Sequence, residues 1–263
     1  MSEVIATLKK DYIYNLMVKE KRQDGRGFKD FRDIKLETNI ITNAEGSAKV
    51  TLGDTQVLVG VKLQIGTPFP DSLDEGVIIT NLELNPIASP DFEPGPPKEE
   101  AIEMARVVDR GIRESGAIDL KKLCVTVGES VWIVFIDVHV LNDEGNIIDA
   151  SCFAAIAALM TTIVPNEQQG IGDNVPLAMK EIPLGVTLAK IGSKLMVDPS
   201  LDEEAICETK LTIVSSSDGS VAGMQKMGSV PLTEAEVLEA IDLACEKATE
   251  LRELYLEELL RKG

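Results

Sequence analysis

Three arginines, Arg106, Arg110 and Arg113, recur at i, i+4 and i+7, a spacing that puts all three guanidinium groups on one helix face. Such groups grip phosphate or carboxylate oxygens in fork geometry and stay charged at any physiological pH. Taken alone, the cluster reads as a solvated face partly neutralised by Glu103, Asp109 and Glu114. A second concentration of charge is Asp198-Pro199-Ser200-Leu201-Asp202-Glu203-Glu204. Its carboxylates can donate a proton or share a magnesium ion, and its plainer reading is a solvated turn after a strand. His139 is the single histidine, so a histidine-based zinc site or a Ser-His-Asp triad rests on it alone. It lies in the strand-like run 132–141, where a histidine on a sheet face reads as structural. From the residues alone no metal site is predicted, and the acidic cluster by itself is undecided.

The composition narrows what these groups can serve. With 263 residues, 44% of them hydrophobic, the chain can bury a substantial core without disulfide or metal staples. Against 26 Lys and Arg stand 44 Asp and Glu, a formal net charge of -18, which argues against broad adhesion to nucleic acid or anionic lipid and makes any such contact local. Cys124, Cys152, Cys207 and Cys245 are far apart with no CxxC pair, and no signal sequence precedes them. They are expected to be reduced and buried in a cytoplasmic protein. Even the apolar stretch 154–164 is shorter than a membrane span and is interrupted by Thr161 and Thr162, so a soluble protein is expected.

The elements that must position these residues follow from periodicity. Ile5, Leu8, Tyr12, Ile13 and Leu16 have helical spacing, and the basic, glycine-punctuated run Lys21-Arg22-Gln23-Asp24-Gly25-Arg26-Gly27 breaks that helix into an extended arm. Strands are predicted over 47–52 and 55–64, joined at Gly53-Asp54, with Val57-Leu58-Val59-Gly60-Val61 apolar enough to be central. Another strand spans 77–84, and the proline-rich stretch 86–97 must be a loop. The arginine helix runs over 98–115, with Ile102, Ala105, Val108 and Ile112 as its buried stripe. Strands over 123–127 and 131–141 lead through a turn to an alanine-rich buried helix over 149–163. Irregular chain over 170–179 precedes strands at 186–191, 194–198, 205–215 and 220–226. The final helix opens on the capping box Thr233-Glu234-Ala235-Glu236, with Val237, Ile241, Ala244, Ala248, Leu251 and Tyr255 as its stripe. This order is an α+β arrangement of two related halves without alternating βαβ units.

Ordered motifs add a resemblance. Lys21-Arg22-Gln23-Asp24-Gly25-Arg26, Asp30-Phe31-Arg32, Gly46-Ser47-Ala48-Lys49-Val50 and Gly53-Asp54-Thr55-Gln56-Val57 together resemble the opening of RNase PH family proteins. The stretch Leu141-Asn142-Asp143-Glu144-Gly145-Asn146-Ile147-Ile148-Asp149-Ala150 resembles the inactive ring subunits of archaeal exosomes within that family. The likeness covers about residues 20–258. It implies the RNase PH fold, an S5-like core with a smaller α/β lobe, and a division into an N-terminal helix and arm (1–26), a first lobe (27–168) and a second lobe with the long C-terminal helix (182–263).

Active relatives shorten RNA from its 3′ end with inorganic phosphate, and carry Gly-Thr-Arg or Gly-Ser-Arg just before the alanine-rich helix. A phosphate dianion wants amide donors at a helix N-terminus and a bidentate guanidinium. Here Asn146, Ile147 and Ile148 occupy that place, and isoleucine offers neither charge nor donor. Active members also carry two aspartates six residues apart, which match Asp198 and Glu204 here. The resemblance thus implies a non-catalytic subunit without a cofactor of its own, the phosphate being used by a catalytic paralogue in a heterohexameric ring. It further implies RNA-binding cap proteins as partners and single-stranded RNA held by Arg106, Arg110 and Arg113. Fork-shaped guanidinium groups suit that task because they hold phosphodiesters without reading bases. Arg22 and Arg26 suit subunit packing through carboxylates. Two other readings stay open at this point: a phosphorolytic exoribonuclease using Asp198 and Glu204, and a self-assembling scaffold without an RNA role.

Overall fold

The computed structural model describes residues 2–257 and 259, with side chains from Lys10 onward. In chain order, α1 (Ser2–Val18) leads through an extended arm to β1 (Ile34–Thr38), β2 (Gly46–Leu52), β3 (Thr55–Gly66) and β4 (Val77–Leu84). Then come α2 (Glu99–Glu114), β5 (Cys124–Thr126), β6 (Ser130–Asn142) and α3 (Ile147–Met160). A short pair, β7 (Ile163–Val164) with β8 (Val175–Pro176), precedes β9 (Leu184–Ile191), β10 (Lys194–Val197), α4 (Leu201–Ile206), β11 (Thr209–Ser215), β12 (Val221–Gly228) and α5 (Glu234–Leu251).

The first sheet has the order β1-β2-β3-β6-β4, with β5 on β6, and only the β4–β6 pairing is parallel. The second runs β10-β9-β11-β12, all antiparallel. The strict alternation of β3 and β6 decides which face is covered: Val57, Val59, Val61, Val134, Ile136, Val138 and Val140 are buried. Lys62, Asp137 and His139 point the other way and are half-buried. β3 is central, as its apolar run predicts, although Leu58 and Gly60 lie on the half-buried face.

α3 is apolar all round and buried from Ile147 to Leu159, because it packs on β2 and β3 of one sheet and on β9 of the other. Each fully buried aliphatic side chain of this kind contributes about 1.5–3 kcal/mol, so α3 ties the two sheets into one core. α2 likewise bridges β4 and β12, and α5 covers β9 and β11. The Thr233 capping box forms as predicted, with the Thr233 hydroxyl accepting from the Glu236 amide and the Glu236 carboxylate accepting from the Thr233 amide.

Several expectations are corrected. The alanine-rich helix begins at Ile147 and stops at Met160, because Asn146 takes a left-handed conformation before it and the Thr161 and Thr162 hydroxyls bond back to carbonyls of its last turn. Residues 201–206, partly read as strand, form α4 behind a second capping box built by Ser200 and Glu203. On α1 the buried residues are Ile13 and Met17, whereas Tyr12 is exposed; the side chains of Ile5 and Leu8 lie outside those described. Cys152 is buried but Cys124, Cys207 and Cys245 are half-buried, all as free thiols. Among the described residues, no helix is long and apolar enough to cross a membrane.

Candidate functional site

Two arginine-rich regions result. The first lies where the arm, the amino end of α3 and the turn after β10 converge on Asp198. This residue is fully buried in a left-handed conformation at φ 49°. Its Oδ1 accepts from Arg32 Nη2 at 2.7 Å and Asn146 Nδ2 at 2.8 Å. Its Oδ2 accepts from Arg26 Nη1 at 2.8 Å, the Arg32 amide at 2.8 Å and Arg32 Nε at 2.9 Å. Burial by itself would raise the Asp198 pKa, but the hydrogen bonds and charge of Arg32 and the Asn146 amide outweigh it and hold the carboxyl below its ordinary range. A carboxylate with both oxygens so occupied is a structural anion, poorly suited to giving up a proton.

Behind it Arg22 is buried against Glu203 in a two-point pair, Nε to Oε1 at 2.9 Å and Nη2 to Oε2 at 2.6 Å. Its remaining donors reach the carbonyls of Val197 at 2.9 Å and Asp198 at 2.7 Å. Arg22 and Arg26 thus pair with carboxylates, and they do so within the chain, against the turn of the second sheet.

Glu204 sits at the amino end of α3. Its Oε1 accepts from the Asn146 amide at 3.2 Å and from Lys210 Nζ at 3.0 Å. Burial raises its pKa, and the Lys210 charge and hydrogen bond and the Asn146 amide only partly offset that. Next to it, Gly145 has φ 87°, and a β-carbon there would lie 2.4 Å from the Leu201 nitrogen. The Leu201 amide in turn donates to the Glu144 carbonyl at 3.0 Å. The turn 199–201 thus lies directly on the helix end where a free anion would otherwise find amides and a favourable dipole. Ile147 and Ile148 point into the core. Asn146 spends its Nδ2 on Asp149 and Asp198, and its Oδ1 is buried without a partner. Asp149, also deeply buried, has its pKa pushed up to about 7 by burial, against donors from Thr187 and Asn146.

Asp198 and Glu204 are claimed by different cations, the arm arginines and Lys210, so they do not share one metal-ready space. Among the described residues no group of three or more His, Cys, Asp and Glu is placed to hold a metal ion. His139 lies on the open face of β6 with Nδ1 3.3 Å from Glu83, remote from both regions.

The second region is the outer face of α2. Arg106, Arg110 and Arg113 are all exposed, as predicted, but they are not equivalent. Arg113 pairs with both oxygens of Asp109 at 3.0 and 3.1 Å and donates to the Ile78 carbonyl at 3.0 Å. Arg106 and Arg110 make no hydrogen bond or ion pair among the described residues, whereas Arg22, Arg26, Arg32, Arg113 and Arg252 all do. The two free guanidinium groups line an open groove of about 370 Å³ between α2 and β12, together with Glu99, Ile102, Glu103, Val107 and Gln225. Ile102, predicted to be buried, is 50% exposed here. The buried face of α2 instead comprises Ala101, Met104, Ala105, Val107, Val108, Gly111 and Ile112, since β4 and β12 together cover a broader arc than one stripe. Sequence reasoning placed a strand over 220–226 but missed that it forms a wall of this groove and that Gln225 lines it, since no local pattern in the chain says which helix that strand faces.

Known proteins of the same build show the family to which the chain belongs. Residues 30–165 match the model for domain 1 of the 3′ exoribonuclease family (RNase PH), and residues 181–247 match its domain 2. The exosome complex component Rrp42 of Methanosarcina mazei is 85% identical over 99% of this chain and 98% of its own. A chain of the Archaeoglobus fulgidus exosome with RNA bound to the active site superposes with a TM-score of 0.93 at 51% identity, covering 95% of this chain and 98% of that one. A chain of an archaeal exosome core gives 0.89 at 48% identity, covering 96% and 98%.

Proposed function

A chain matched by both domain models across most of its length belongs to the 3′ exoribonuclease family, and on that premise we propose that it is a non-catalytic ring subunit of an archaeal exosome that helps hold RNA for a catalytic paralogue. It has the RNase PH fold and is a component of an exosome. The finer reading rests on one observation: the amino end of α3 is filled by the chain itself. Glu204 brings a carboxylate to the Asn146 amide, and the turn 199–201 covers Gly145. In active relatives the corresponding helix end is expected to receive inorganic phosphate through backbone amides and an arginine. Here a second anion would meet the Glu204 carboxylate and no guanidinium in the Asn146-Ile147-Ile148 segment, with the backbone of 199–201 packed against Gly145.

In this reading the phosphate is the partner's reactant, and this chain needs no cofactor. It works in the cytoplasm, in a heterohexameric ring with the catalytic paralogue and with RNA-binding cap proteins on that ring. Its contribution to substrate is the exposed arginine face of α2. Arg106 and Arg110 hold phosphodiester oxygens without discriminating bases, which suits a degrader that must pass every sequence.

The test is phosphate-dependent shortening of a 5′-labelled oligo(A), comparing the purified chain, the catalytic paralogue and their mixture. Inactivity of the chain alone with full activity of the mixture is expected. Phosphate-dependent shortening by this chain alone would overturn the reading and make it an enzyme in its own right.

A further inference from the structure

The two unpaired arginines on α2 have an acidic neighbour within reach. Glu103 precedes Arg106 by three residues, a spacing at which opposite charges on a helix meet. The same helix shows that such charges can close: Asp109 and Arg113, four residues apart, form an ion pair while the Thr80 hydroxyl also donates to Asp109. Glu103 does not do this. Its Oε1 accepts from Gln225 Nε2 at 2.9 Å, across the groove on β12. Gln225 is half-buried on that strand, opposite Thr212 of β11, and lines the groove that Arg106 and Arg110 also line.

The other carboxylates of the helix leave the two arginines alone for separate reasons. Asp109 is held by Arg113 and by the Thr80 hydroxyl at 3.2 Å. Glu99 lines the groove but stands seven residues before Arg106, about 10 Å along the axis. Glu114, four residues after Arg110, forms no ion pair with it among the described residues. Of the two α2 carboxylates three residues from Arg106, Asp109 already pairs with Arg113, which leaves Glu103, whose Oε1 is engaged by Gln225 from outside the helix.

We propose that Gln225 is a positioning residue for RNA: by holding the Glu103 carboxylate, it keeps Arg106 unpaired, so that Arg106 and the unpaired Arg110 beside it are both open to the phosphodiester backbone. Two adjacent guanidinium groups at i and i+4 repel one another, and an external anion relieves that repulsion as long as no internal carboxylate does so first. A neutral amide suits the task, since it binds Glu103 by a single donor without adding charge of its own to the groove. The inference rests on the reading of α2 as an RNA-holding face and deepens it.

The experiment measures binding of single-stranded oligo(A) to the reconstituted ring with its catalytic paralogue, across a salt series. It compares wild type with Gln225→Leu, Glu103→Gln, the double variant Gln225→Leu/Glu103→Gln, and Arg106→Ala/Arg110→Ala. Gln225→Leu releases Glu103 toward Arg106 and should cost roughly fourfold in affinity near 0.15 M salt, the equivalent of about one lost phosphate contact. Adding Glu103→Gln should restore affinity and salt slope, a rescue that mere disturbance of β12 would not allow. Wild-type binding by Gln225→Leu, or a loss that Glu103→Gln does not repair, overturns the positioning role while leaving the RNA reading intact. Unchanged binding by Arg106→Ala/Arg110→Ala overturns the RNA reading and the inference with it.

Discussion

The corner around Asp198 and the groove on α2 both gather arginines beside carboxylates, yet they end in opposite states. In the corner Arg22, Arg26 and Arg32 come from the arm and the loop before β1, and every one is paired with Glu203 or Asp198. On α2 Arg106 and Arg110 stand beside three acidic residues and pair with none of them. The difference is one of burial. A buried guanidinium without a partner is costly, so the corner assembles only in a fully paired form. A surface ion pair is worth little, so on α2 small geometric preferences decide which charges stay open. Charge density alone therefore does not separate a paired arginine from an open one; buried ones must be paired, while exposed ones can be either, as Arg113 and Arg106 show.

The strongest way to break this contrast is to remove a corner arginine. Arg22→Met leaves Glu203 buried without its partner, and should cost about 3–5 kcal/mol of unfolding free energy in a denaturant titration. A loss near zero would show the pair to be no more than a surface-like contact.

The next effect is on pH dependence. Asp149 has a folded pKa of about 7 against an ordinary 3.8, so the folded state holds its proton more tightly. Its contribution is complete below about pH 4 and is lost as pH rises through about 7, by at most ~1.4 kcal/mol per pH unit. Asp198 has the opposite sign: held low, it adds stability above the ordinary carboxylate range that disappears as pH falls through its depressed value. Asp149→Asn should flatten the decline between about pH 4 and 7 in pH-resolved unfolding while sparing the acid limb set by Asp198.

The smallest effect on stability, and the most telling for function, comes from the groove. Replacing Arg106, Arg110 and Arg113 together should change stability by less than about 0.5 kcal/mol. The slope of log affinity for single-stranded RNA against log salt should fall by about 1.4, roughly 0.7 for each of the two free arginines. A fall of about 2.1 would mean that Arg113 leaves Asp109 to contact RNA as well, and an unchanged slope would remove α2 from the RNA path.

Much of this was legible in the chain. Alternation in β6, the Thr233 capping box and the apolar circumference of α3 are local patterns; the first two formed where they stand in the chain, and α3 formed two residues earlier than its alanine run suggests. α4 was equally local, since Ser200 and Glu203 repeat the Ser/Thr-x-x-Glu spacing, but its acidic start reads as a solvated turn and its end as the opening of the next strand. The Ile102 error has another source: a stripe four residues wide assumes one packing partner, and α2 has two.

What the sequence determined by itself is most of the elements, the exposure of three arginines on one helix face, and the absence of an arginine from Asn146-Ile147-Ile148 at the start of α3. These depend on residues within a few positions of one another. Tertiary structure alone decided that Arg22 meets Glu203 across 181 residues, that Glu204 reaches the Asn146 amide across 58, and that Gln225 draws Glu103 aside across 122. Such pairings are set by how α2 and α3 clasp the two sheets together, and that packing is carried by buried apolar faces whose periodicity names a direction but not a partner.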